Sequence, residues 1–215
     1  MATPFTTLYK KFLNQVEDNE FMLADDFTIL ELLENYLKNS VVDFNCCRVS
    51  LKYRESIDGK FYIEPTTERE YIFRDYIGRD IEFSIKDIDG LELQNNIDYK
   101  IIETLDELDN VTEIKILFSE DISKKLVINW RFEGEFLENL NEEEIFILTL
   151  GMTLHWLRTK ISREDNLKQF ISDKDFKQLS NANMLSRLMA YEKNTKELLK
   201  EYKESYNFKG FEGWN

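Results

Sequence analysis

The chain carries one histidine, His155, so the commonest general base and metal ligand occurs once in 215 residues. His155 lies beside Trp156 in a strongly apolar run, with no second histidine to share a metal and no HExxH pattern. The expected role is a satisfied histidine in the core or at its edge. The two cysteines, Cys46 and Cys47, are adjacent, a spacing that strains a mutual disulfide and is too sparse for a structural zinc site. They fit a reducing compartment as small, partly buried hydrophobes. Asp87 and Asp89 before Gly90 resemble the start of a calcium loop, but the bidentate glutamate that closes such a loop is missing, and a turn is expected. Glu142-Glu143-Glu144 could face a cation; their simpler role is to complement the positive end of a helix dipole. GxSxG, SxxK, Walker A and GxGxxG signatures are absent, and 7 scattered glycines form no phosphate cradle. No catalytic, cofactor-binding or metal-ligating residue is therefore assigned.

The charge points the same way. With 42 acidic and 28 basic side chains the net charge is -14, which disfavours wrapping a phosphate backbone or an anionic lipid surface. Cations beside aromatics, at Tyr53-Arg54 and Tyr71 to Arg74, are surrounded by acids. Hydrophobic residues make up 42%, enough for a real core. No apolar run reaches the ~18 residues that would span a bilayer, and Met1 to Leu13 is amphipathic, so no membrane or secretory role is expected.

The elements that would position these residues divide by texture. Thr3 as N-cap and Pro4 as first helical residue open a helix, with Phe5, Leu8, Tyr9, Phe12, Leu13 and Val16 at helical spacing. A second helix is capped by Asp25 or Asp26 and buries Ile29, Leu30, Leu33, Tyr36, Leu37 and Val41. From residue 46 to 135 the helical period gives way to short alternating runs, with strands expected at Arg48 to Tyr53, Phe61 to Ile63, Tyr71 to Phe73, Ile81 to Ile85, Tyr99 to Ile102, Glu113 to Phe118 and Lys125 to Phe132. Asp58-Gly59 reads as a hairpin signal, and Asp89-Gly90 and Asn95-Asn96 read as turns. Helix returns at Asn141, an N-cap with Glu144 three residues on and Leu140 and Ile145 as a hydrophobic staple. Leu150, Trp156 and Leu157 lie on this helix, which is apolar around most of its circumference. It ends near Arg163; after a link, Ser172 to Phe176 opens another start, and a long helix from Asn181 to Tyr206 carries Leu185, Leu188, Met189, Leu198, Leu199 and Tyr202.

The expected class is thus α+β. A helical core from residues 1–45 and 136–206, with Phe12, Leu33, Leu150, Trp156, Leu157 and Leu188 inside it, is interrupted by a β-rich insertion at 46–135. Residues 207–215 form an aromatic tail. Phe208, Phe211 and Trp214 recur every three residues between Gly210 and Gly213. Such side chains are costly to leave in water, at ~25 cal/mol per Å². They pack on this chain or anchor to a neighbouring subunit.

Several stretches carry a resemblance. They are Pro4 to Leu13, Leu32 to Ser40, Leu140 to Leu148, Trp156-Leu157, and Asp173-Lys174-Asp175-Phe176-Lys177-Gln178-Leu179-Ser180-Asn181-Ala182-Asn183 with Leu185 and Leu188. In these the chain resembles head–tail connector (neck or adaptor) proteins of tailed phages of low-GC bacteria, over about 1–45 and 136–206 and not over the insertion. The resemblance implies a virion protein assembled in the host cytoplasm as a homo-oligomeric ring, commonly twelvefold. Its partners would be the portal, the tail or a second neck protein, and through the insertion a capsid or accessory protein. DNA would pass without specific binding. Another tail or baseplate ring subunit, and a non-virion chaperone or host-interaction protein, remain alternatives; an enzyme is not expected.

Overall fold

The protein, seen here as a computed structural model, is described at residues 2–16, 21, 24, 26–73, 81–105, 111–170 and 177–211, of which 26, 164–170, 177–183 and 210–211 are described by backbone alone. It is an α+β protein with four helices and small antiparallel sheets among the described residues. The chain divides into two compact units: residues 1–52 with 137–215, and residues 53–136. The first edge falls at 53 and not at 46 because the intervening residues pack with the helices. The Cys47 sulfur lies 3.9 Å from the Tyr206 hydroxyl, and the Arg48 guanidinium lies 4.2 Å from the centre of the Tyr206 ring.

In the helical unit a two-residue strand, β1 (Thr3–Pro4), leads into α1 (Phe5–Leu13). Pro4 holds the N-cap position with no side-chain capping bond. Thr3, the expected cap, works at long range instead: its hydroxyl accepts the Leu140 N–H at 2.8 Å and donates to the Glu138 carbonyl at 3.2 Å. Helix α2 (Asp26–Asp43) follows; Asp25 lies outside the described residues.

Helix α3 (Glu142–Phe170) starts as its sequence dictates. Asn141 Oδ1 accepts the N–H groups of Glu143 and Glu144 at 2.9 and 3.0 Å, and Glu144 Oε2 accepts the Asn141 N–H at 2.8 Å. This reciprocal capping box satisfies donors that the first turn leaves without helical partners. Leu140 and Ile145 are buried beside it. Helix α3 packs against all three other helices. Thr149 and Thr153, buried in its middle, donate their hydroxyls to carbonyls four residues back. At Gly151 the helix touches α2 so closely that a Cβ would fall 2.1 Å from Ser40 Oγ, whose hydroxyl bonds the Leu148 carbonyl.

The helix does not end near Arg163. Residues 164–170 contain neither glycine nor proline, so nothing there stops the backbone hydrogen-bond ladder. The expected start at Ser172 to Phe176 lies outside the described residues. Helix α4 (Lys177–Phe211) is longer than expected at both ends and buries Leu185, Thr195, Leu199 and Tyr206.

The second unit places two three-stranded antiparallel sheets face to face. One has the order β3 (Ile57–Ile63), β8 (Leu126–Phe132), β5 (Ile81–Asp87); the other β4 (Glu70–Phe73), β7 (Val111–Phe118), β6 (Tyr99–Leu105). Alternate residues of both pack into one core, including Ile85 and Ile128 from the first sheet and Tyr99, Ile116 and Phe118 from the second. A short ladder joins β2 (Tyr53–Arg54) to β9 (Glu135–Phe136), so only the end of the strand expected from Arg48 forms. Asp89-Gly90 and Asn95-Asn96 are turns, with Gly90 at φ +87° and Asn96 at φ +63°. Asp58-Gly59 is not a turn. Both residues lie inside β3, where Gly59 faces Trp130 of β8. A Cβ there would sit 2.2 Å from the indole ring, so the glycine makes room for a side chain and does not bend the chain. Gly59→Ala should therefore destabilise the β unit by about 1–3 kcal/mol, the usual cost of overpacking. Urea unfolding followed by Trp130 fluorescence, in a W156F/W214F background, would measure it; an unchanged midpoint would show that the indole can move aside.

Candidate functional site

The residues singled out in the sequence occupy different places. Phe12, Leu33, Leu150, Trp156 and Leu157 are buried in the helical unit, and Leu188 is half-buried. The expected tail begins as helix: α4 continues through Phe211, held in part by an ion pair of 2.8 Å from Lys209 to Glu143. Phe208 is 72% exposed on that last turn. Phe211 ends the helix, and Trp214 lies outside the described residues.

His155 Nε2 lies 3.0 Å from Asp43 Oδ2, so the lone histidine has a carboxylate partner at the end of α2. Cys46 and Cys47 are unbridged. Cys47 has its thiol pushed above the ordinary range, by burial first, which disfavours the reactive thiolate. The Asp87–Asp89 turn is occupied by protein groups. Asp87 Oδ1 accepts the N–H groups of Asp89 and Leu91, and Lys124 reaches Asp87 at 3.1 Å and Asp89 at 2.6 Å. The Leu91 N–H, followed by Lys124, holds the Asp87 carboxyl below its usual value. Among the described residues no group of three or more His, Cys, Asp and Glu side chains is placed to hold a metal ion. No described helix is long and apolar enough to cross a membrane.

Two features of α4 were not legible in advance. The first is a polar knot around the buried Tyr206 and Glu144. The Tyr206 hydroxyl donates to Glu144 Oε1 at 2.6 Å and accepts the Arg48 N–H at 3.0 Å, while the Arg48 guanidinium bonds the Tyr206 carbonyl. Glu144 spends its other oxygen on the capping box, so one carboxylate ties the start of α3 to the end of α4. Burial, reinforced by Glu144, pushes the Tyr206 phenol well above the ordinary tyrosine value and keeps it protonated.

The second feature is the contrast between the two flanks of the helix. At 100° per residue, Met184, Tyr191, Leu198 and Tyr202 run along one side of the seam that α4 buries. They are 50%, 44%, 39% and 38% exposed. Lys193, Lys196, Lys200 and Lys203 run along the other side. Together with Arg158 of α3 these lysines line a groove of about 670 Å³. Its lining holds five cations against three carboxylates, Asp43, Glu197 and Glu204, in a chain of net charge -14. Leu154 and Leu199 supply buried apolar atoms to its floor. The spacing of the lysines was present in the sequence; that Arg158 joins them depends on how α3 and α4 pack. Comparison with protein-family models, curated proteins and solved structures finds no match.

Proposed function

We propose that this chain is a structural subunit, not a catalyst, and that copies of it assemble into a ring of the kind found at the head–tail junction of tailed phages. The observation that carries this reading is the asymmetry of α4. An apolar flank half in water is unfavourable for a lone chain and gains free energy when a neighbour covers it. A cation-rich flank on the same helix gives each copy a second, chemically different face. Two unlike faces suit a head-to-tail interface, in which one patch of a copy meets a different patch of the next, and such interfaces form rings when the rotation between neighbours closes. The resemblance of residues 1–45 and 136–206 to connector proteins narrows the ring to the portal–tail junction, with DNA passing through and the β unit available to a capsid or accessory protein.

Native mass spectrometry of the purified chain, alone and with its portal, tests the reading. A discrete ring mass is expected, and L198E/Y191E should abolish it while leaving the helical circular dichroism intact. A chain that stays monomeric under both conditions overturns self-assembly. Mass spectrometry of purified particles tests the location, because absence from the virion would favour a chaperone.

A further inference from the structure

We propose that the groove between α3 and α4 is the receiving half of the subunit contact, and that it takes a carboxylate-rich surface of a second copy of this chain. The inference rests on the self-assembly reading above and adds where and by what chemistry neighbours meet. Copies that each carry a charge of -14 repel one another when packed side by side. A ring therefore needs local complementarity to offset that repulsion, and the groove provides a cationic surface on an acidic chain. The positions 193, 196, 200 and 203 place four lysines along about 15 Å of one helix flank. Arg158 stands across from them.

These cations are only lightly committed. Lys193 and Lys200 reach Glu197 and Glu204 at 4.0 and 3.7 Å, and both lysine side chains are about three-quarters exposed (75% and 76%). Arg158 reaches Glu192 at 3.5 Å. Exposed pairs of this kind contribute little, so an incoming carboxylate can replace them at small cost. Lys196 makes no ion pair among the described residues. Lys203 bonds the Asp43 carbonyl, which fixes one end of the stripe.

The lining also discriminates between kinds of anion. A nucleic-acid backbone is uniformly negative and would meet Asp43, Glu197 and Glu204 as repulsive neighbours. A protein surface mixes signs and apolar atoms, and so can place cations against those three carboxylates and methyl groups against Leu154 and Leu199. The chain's own surplus of acids is the matching chemistry. Attraction of this type acts mainly on encounter and register, and it weakens with salt.

The test mixes ¹⁴N- and ¹⁵N-labelled full-length chain and applies a zero-length carboxyl–amine crosslinker. Lys193, Lys196, Lys200 or Lys203 should be found joined to Asp or Glu of the other isotope. The variant K193E/K196E/K200E should weaken self-association by about tenfold or more, and Lys→Arg at the same positions should retain it. Circular dichroism and melting temperature check that the variants fold. If the wild-type chain forms rings but these lysines give only same-isotope links, the groove proposal fails and the self-assembly reading stands. If no rings form at all, that reading fails with it. Saturable binding of single-stranded or duplex DNA by the wild-type chain, lost in the Lys→Glu variant, would make the groove a nucleic-acid site and overturn the proposal.

Discussion

Tyr206→Ala should destabilise the helical unit by about 3–5 kcal/mol, the range for emptying a fully buried aromatic position. Tyr206 is 1% exposed and serves several neighbours at once. Its ring fills the space against Phe44 and beneath the Arg48 guanidinium. Its hydroxyl satisfies Glu144, itself 2% exposed and already bonded to the Asn141 N–H. Tyr206→Phe separates the two contributions. It keeps the ring and leaves one Glu144 oxygen without its partner, so a cost of about 1–3 kcal/mol is expected. Chemical unfolding would give both values. Amide exchange would show whether the loss is spread over the unit or confined to the last turns of α4.

The pH dependence carries the same signature. A phenol that is harder to ionise in the folded state stabilises the fold fully below the unfolded tyrosine pKa, ~10, and loses that contribution as pH rises through the higher folded value. Wild-type stability should therefore fall on the alkaline side, and Tyr206→Phe should fall less steeply. Part of the slope should persist, because burial also raises Tyr99 in the β unit. Identical alkaline slopes for the two proteins would show that the hydroxyl is not held as described.

How far the sequence reveals these features depends on how far apart the interacting residues lie. The capping box at Asn141 and Glu144 was legible because its donors and acceptors are three residues apart. The strands β4 to β8 were legible because alternation is a local pattern, and the two positive-φ turns because Gly90 and Asn96 tolerate that backbone. Gly59 misled because its reason is Trp130, on a strand far along the chain. Tyr206 looked like the last residue of an ordinary helix. Its importance comes from Glu144 and Arg48, 62 and 158 residues away. Thr3 likewise has good local chemistry for a cap, and its hydroxyl goes to residues 138 and 140 instead. The aromatic repeat of residues 208–214 suggested a tail, but a repeat of three is also close to the helical period, and the first of its residues are helical.

Excising residues 53–136 and joining Lys52 to Leu137 through two glycines should leave a folded, soluble helical unit. The Leu137 N–H donates to the Lys52 carbonyl at 2.9 Å, so the chain leaves the unit and returns to it at one point. A folded insertion that already holds its ends together acts as a short loop, so replacing it changes closure entropy little, by roughly 1 kcal/mol or less. All partners of the Tyr206 knot, and the Ser40–Gly151 contact between α2 and α3, lie in the part that remains. The excised chain should show a helical spectrum, one cooperative unfolding transition, and the same loss of stability on Tyr206→Ala as the full chain. It should also keep its self-association, since both flanks of α4 are retained. An aggregated product, or one that binds a hydrophobic dye and melts without cooperativity, would mean that the helices need the β unit to complete their core. A well-folded monomer from an assembling parent would mean that the β unit carries one side of the neighbour contact, the side opposite the groove.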